Sequence, residues 1–187
     1  VAVSLNKIAN DIRWLGSGPR AGIGEISLPI VQPGSSIMPG KVNPVIAESV
    51  IQACAQVIGN DLAVCQAGLG SYFELNLMLP VAAHNLLQSI EILGASARNF
   101  AGQCVDGLKA TAVGPEMIES GLMLGTALAP AIGYDKAAEI AKEAANSGST
   151  IREVAGRLTS LSSDDLSTLL DAEKMTEPGL GGGPSSG

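Results

Sequence analysis

Aromatic residues are scarce in this chain: two Phe, two Tyr and one Trp among 187 residues, or 3%. A compact core normally holds more, whereas an interior of Ala, Leu, Ile and Val suits close-packed helices. Charge is scarce as well, at 16% against 46% apolar residues. That balance excludes a disordered chain and implies much buried surface. It also suggests that part of the surface is covered, either by other subunits or by a large interior of this same chain. The net charge is −7 and no basic block occurs. Phosphate contacts need clustered Lys and Arg, so no nucleic acid is expected as a partner. Cys54, Cys65 and Cys104 stand singly within apolar helical patterns. They read as reduced, buried residues, forming neither a disulfide framework nor a metal site. No apolar run reaches a membrane span, because Glu48, Gln52, Asn60, His84, Gln88 and Glu91 interrupt the longest ones. The first residues carry no signal-peptide pattern, and a cytoplasmic location is expected. Strand alternation and internal repeats are absent, so the expected fold class is all-α.

What is present is one unusual loop. Pro33-Gly34-Ser35-Ser36-Ile37-Met38-Pro39-Gly40-Lys41-Val42-Asn43-Pro44 cannot sit inside a helix or a central strand. It nevertheless carries a cation, a carboxamide and two hydroxyls. Asn43-Pro44 reads as an N-cap with proline at the first helical position. A helix N-terminus favours an anion through its free N–H groups and its dipole. The spacing therefore points to an anionic small molecule.

Around this loop the chain orders itself simply. Val1, Val3, Leu5, Ile8, Ile12 and Leu15 recur at helical spacing. With no starting Met and no cap, this reads as the tail of a helix that begins upstream, so the sequence is expected to be a fragment of a longer protein. Gly16 to Pro19 end that helix, and 19–43 form a long irregular connection. A connection of that length is usually functional or disordered, and its interleaved Ile23, Ile26, Leu28, Ile30 and Val31 favour function. A helix over 44–67 is apolar nearly all round and is expected to be central and buried. Its one polar stripe is Glu48, Gln52, Gln56 and Asn60. A second long helix, capped by Asn76, should run to about residue 105, with Leu86, Leu87, Ile90, Leu93, Ala97, Phe100 and Cys104 on its apolar face. His84, the only histidine, lies on it and reads as a hydrogen-bonded structural residue. Past a boundary at 107–114 the elements shorten: helices over 115–124 and 134–146, a turn at 129–133, a capping box at Thr150 or Ser149, and a last helix after Ser162. The expected organisation is 1–110 with the loop, a small helical domain over 111–177, and a flexible Gly/Pro/Ser tail over 178–187.

Gly34-Ser35-Ser36-Ile37-Met38-Pro39-Gly40-Lys41-Val42-Asn43 resembles the signature of the fumarase/aspartase superfamily, G-S-x-x-M-x-x-K-x-N. The flanks are similar to class II fumarases: Ile8-Ala9-Asn10-Asp11-Ile12-Arg13-Trp14-Leu15, Gly18-Pro19-Arg20, Gly24-Glu25-Ile26, Phe73-Glu74-Leu75-Asn76 and Ile132-Gly133-Tyr134-Asp135-Lys136-Ala137-Ala138. The likeness runs to about Glu177 and corresponds to the C-terminal part of such an enzyme. Ala129 and Ala131 depart from it, standing where fumarases often carry Asn and His.

The resemblance implies reversible hydration of fumarate to (S)-malate in the tricarboxylic acid cycle, with no cofactor and no metal. It implies Ser35 as the base, with Ser36, Lys41 and Asn43 binding the substrate carboxylate. Glu48 would orient a histidine supplied by another subunit. It further implies a homotetramer whose sites are each shared among three subunits. That histidine and the other substrate segments would lie upstream of Val1, so the fragment alone is expected to be inactive. Two alternatives stand beside this reading: an aspartate ammonia-lyase, and a non-catalytic helical scaffold.

Overall fold

The computed structural model describes residues 1–18, 20–34 and 37–177. The chain divides into two compact units, Val1–Thr111 and Ala112 onward. The architecture is all-α apart from one two-stranded ribbon.

In the first unit, α1 (Ala2–Leu15), α2 (Val45–Gly68) and α3 (Leu79–Gln103) are the main elements. The apolar stripe of α1 brings Ala9 and Ile12 onto Ala47, Val50 and Cys54 of α2, and Phe100 and Cys104 complete the cluster from the end of α3. Burial pushes the Cys54 and Cys104 thiols up, which keeps them protonated and inert. Cys65, by contrast, is exposed, contrary to the expectation that all three would be buried.

Several expectations need correction here. The N-cap of α2 is Pro44 rather than Asn43, and no side chain caps it. The chain turns at Asn43 first, through a bond from the Val45 N–H to the Asn43 carbonyl at 2.9 Å. The cap of α3 is Met78 rather than Asn76, and α3 stops at Gln103, before a 3₁₀ turn over Val105–Gly107. Helix α2 is also not wrapped on all sides by this chain. Ile58 and Leu62 are exposed on α2, as are Leu86, Leu87 and Ile90 on α3. Two helices packed along one seam leave their remaining apolar faces open, and pattern alone cannot say which chain covers them.

A polar lock holds the α2–α3 seam. Asn60 is buried. Its amide nitrogen donates to Gln88 Oε1 at 2.9 Å and to Ser89 Oγ at 3.1 Å, and its oxygen accepts from Gln56 Nε2 at 2.8 Å. The sequence stripe thus ends as a buried registration point. Removing the hub leaves several polar groups without their partner, and such orphaning costs about 1–3 kcal/mol. Asn60→Ala is accordingly expected to lower the denaturation midpoint of the chain, read by circular dichroism in urea.

The ribbon pairs β1 (Ile26–Ser27) with β2 (Lys109–Ala110), antiparallel, with Ile26 opposite Ala110. Two residues per strand are too few for an alternation to show in sequence, which is why none was expected. The Thr111 hydroxyl donates to the Gly24 carbonyl at 2.7 Å, and its N–H donates to the Glu25 carbonyl at 3.0 Å. The front of the long connection is therefore pinned to the segment that follows α3.

The second unit contains α4 (Val113–Ser120), α5 (Ala129–Ile132), α6 (Tyr134–Ser147), α7 (Ile151–Leu158) and α8 (Ser163–Leu169). The expected turn at 129–133 is a short helical one, preceded by a 3₁₀ stretch over Met123–Leu128. Leu124, Leu128, Ile140, Ala144, Ile151 and Val154 form its core. Gly148 closes α6 in the left-handed conformation, φ 70°. Thr150, not Ser149, caps α7 in a reciprocal box with Glu153. Arg152 forks onto Glu119, Nε to Oε1 at 2.8 Å and Nη2 to Oε2 at 3.2 Å, tying α7 to α4.

Ser162 caps α8 in a second reciprocal box with Asp165. The Ser162 hydroxyl, and after it the Ser162 N–H, holds the Asp165 carboxyl below its usual range. A carboxyl lowered in the folded state stabilises above its unfolded pKa, and that stability is lost as pH falls through the folded value. Ser162→Ala is therefore expected to lower Tm at pH 7 and to matter progressively less below about pH 4. A pair of melting series against pH checks this. The expected tail, 178–187, lies outside the described residues.

Candidate functional site

The signature loop folds back on itself before it enters α2. Gly34 approaches the backbone of Lys41 so closely that a Cβ on it would lie 2.6 Å from the Lys41 carbonyl oxygen. The Lys41 N–H closes a turn onto the Met38 carbonyl at 3.1 Å, and Gly40 holds φ +80°, the left-handed region. These constraints place the Lys41 side chain in solvent at the mouth of α2. Ser35 and Ser36, the expected base and its neighbour, lie outside the described residues.

Asn43 is half-buried just before the helix. Among the described residues its carboxamide makes no hydrogen bond, so it remains available to a ligand. This follows from the shifted cap: an asparagine at the N-cap would have used its oxygen on the helix. Glu48 sits in the first turn of α2. Its N–H bonds the Pro44 carbonyl at 3.0 Å, which starts the helical ladder. Its carboxylate oxygen Oε1 lies 3.9 Å from Arg13 Nη2, at the last turn of α1. Lys41, Asn43 and Glu48 thus belong to one loop-and-helix corner, with the free N–H groups of α2 beside them.

Arg13 was not singled out in the sequence. It stood there only within the Ile8–Leu15 stretch, with no role of its own. Only the packing of Ala9 and Ile12 against Ala47 and Val50 brings the end of α1 to the start of α2. Thr111 was missed for a similar reason, since its bonds to Gly24 and Glu25 span most of the first unit.

His84 does not join this corner. It is exposed on α3 and, among the described residues, makes no hydrogen bond or ion pair, so the hydrogen-bonded role expected for it is not seen. No cluster of His, Cys, Asp or Glu suited to a metal ion occurs among the described residues. No helix there is long and apolar enough to cross a membrane.

Comparison with known proteins agrees along nearly the whole chain. A family profile described as "Lyase" matches residues 1–59, and one described as "Fumarase C C-terminus" matches 124–177. A class II fumarate hydratase of Bradyrhizobium diazoefficiens is 51% identical over 180 residues, 96% of this chain and 38% of that protein. The class II fumarate hydratase of Brucella melitensis is 53% identical over 179 residues, 95% of this chain and 39% of that protein. Among solved structures, a fumarate lyase:delta crystallin from Brucella melitensis superposes with a TM-score of 0.84 at 52% identity, covering 95% of this chain and 38% of that one. A class II fumarase from Schistosoma mansoni gives 0.83 at 38% identity, covering 93% of this chain and 36% of that one. The chain spans about two fifths of the length of the curated relatives it matches.

Proposed function

We propose that this chain, which belongs to the class II fumarase family, supplies one share of an active site that hydrates fumarate reversibly to (S)-malate. The observation that supports this reading best is the corner formed by Lys41, Asn43 and Glu48 at the start of α2, directly after the family signature.

In the malate-to-fumarate direction a proton must leave the carbon next to a carboxylate. The doubly charged aci-carboxylate that forms needs donors where its charge develops. Lys41 provides a cation and Asn43 an uncommitted amide for that carboxylate, and Ser36 adds a hydroxyl. Ser35 removes the proton. A hydroxyl is a poor base in water, so this role requires surroundings that favour its ionised form. Glu48 orients a histidine of another subunit, which protonates the departing hydroxyl.

The exposed apolar faces of α2 and α3 fit a homotetramer in which such helices form the shared bundle. In this reading the parent enzyme works in the tricarboxylic acid cycle, in the cytoplasm, without cofactor or metal. The direct test is a chimera in which this chain replaces the matching segment of the Brucella melitensis fumarate hydratase. The chimera should convert fumarate to malate and release no ammonia from aspartate. Ammonia release without hydration would favour the ammonia-lyase reading. An inactive but correctly assembled tetramer would favour a scaffold.

A further inference from the structure

We infer that Arg13 is a positioning residue for Glu48, holding one oxygen of its carboxylate so that the other stays turned to the reacting partner. The inference rests on the role proposed for Glu48. Arg13 is anchored from behind: its Nη1 donates to Asn10 Oδ1 at 3.1 Å, and Asn10 Nδ2 in turn donates to the Asn6 carbonyl at 3.0 Å. The guanidinium is thus fixed to α1, and α1 is fixed to α2 by the buried Ala9, Ile12, Ala47 and Val50. From that platform Nη2 faces Glu48 Oε1 at 3.9 Å. Among the described residues Glu48 Oε2 has no partner.

A structural role explains this arrangement poorly. The separation is too long for a hydrogen bond. Both side chains are 38% exposed, and exposed pairs of this kind contribute little to stability. Moreover, Arg13 Nε is buried with no hydrogen-bond partner, a cost that a lysine or a methionine would avoid. A planar cation fixed on a rigid helix does accomplish one thing a flexible one would not: it sets the direction from which the carboxylate is held.

The test uses the assembled chimera and four variants: Arg13→Gln, Arg13→Lys, Glu48→Gln and the double variant Arg13→Gln/Glu48→Gln. Arg13→Gln is expected to lower kcat about tenfold, the order a small misplacement of a reacting group costs, with KM within about twofold. Arg13→Lys should recover part of that loss. In the Glu48→Gln background, Arg13→Gln should change kcat no further, because neighbours acting through one another are not additive. Multiplying losses in the double variant, or an unchanged kcat in Arg13→Gln, would overturn the inference while leaving the role of Glu48 intact. Full activity in Glu48→Gln would remove the role of Glu48 itself, and the inference with it. If Arg13→Gln does not assemble, Arg13→Lys decides: a reduced kcat at unchanged KM supports positioning, and an unchanged kcat refutes it.

Discussion

Ser35→Ala in the assembled chimera is expected to reduce fumarate hydration about a thousandfold, within the range that loss of a general base produces. KM should change far less, because in the proposed site Lys41, Asn43 and Ser36 would still hold the carboxylate. Lys41→Met makes the complementary case. It removes the cation proposed both to bind the substrate and to stabilise the aci form, so kcat should fall and kcat/KM should fall further. Steady-state assays in both directions, on tetramers checked by size, separate the two patterns. A Ser35→Ala chimera with near-normal turnover would remove the serine from the chemistry.

Gly34→Ala should damage the proposed site out of proportion to the single methyl it adds. The added Cβ would meet the Lys41 carbonyl at 2.6 Å, and backbone on both sides leaves neither partner a rotamer to yield. Relief requires the loop to open, which carries Lys41 away from Asn43. A displacement of about an ångström at a catalytic group can cost about a hundredfold, so kcat/KM should drop by that order with helix content unchanged. Gly40→Ala is the control. A Cβ there meets nothing within 4 Å, but φ +80° makes it costly for conformation, at about 1 kcal/mol. Gly40→Ala should lower Tm more than it lowers activity, and Gly34→Ala the reverse.

The comparison of these two glycines shows where sequence reading stops. The signature predicted that the loop carries the chemistry and that a helix follows. It could not distinguish a glycine needed for close approach from one needed for its dihedral angle, because both stand in the same Gly/Pro/Ser run. The long helices were legible from their 3.6-residue period, and the capping box at Thr150 from its Glu153. The starts of α2 and α3 were misplaced because Asn43 and Asn76 look like caps locally, while turns formed by Val45 and Leu79 displace them. The α1–α2 corner was not legible at all. Arg13 and Glu48 are far apart in the chain and meet only through apolar packing elsewhere on the two helices.

The burial of α2 was overestimated for a related reason. An apolar helix reports that its faces must be covered, not by which chain. The same question bears on the site, since the histidine proposed to pair with Glu48 would come from another subunit. Subunit mixing tests that division directly. One chimera carries Ser35→Ala. A second carries an intact copy of this chain and a substitution of the upstream histidine. Each is inactive alone. If the serine and the histidine reach one site from different subunits, random mixing leaves a half chance of each being intact, so about a quarter of normal fumarate hydration should return. If the mixture, refolded together and shown to contain both subunits, remains as inactive as its components, both residues come from one chain and the shared-site account is contradicted.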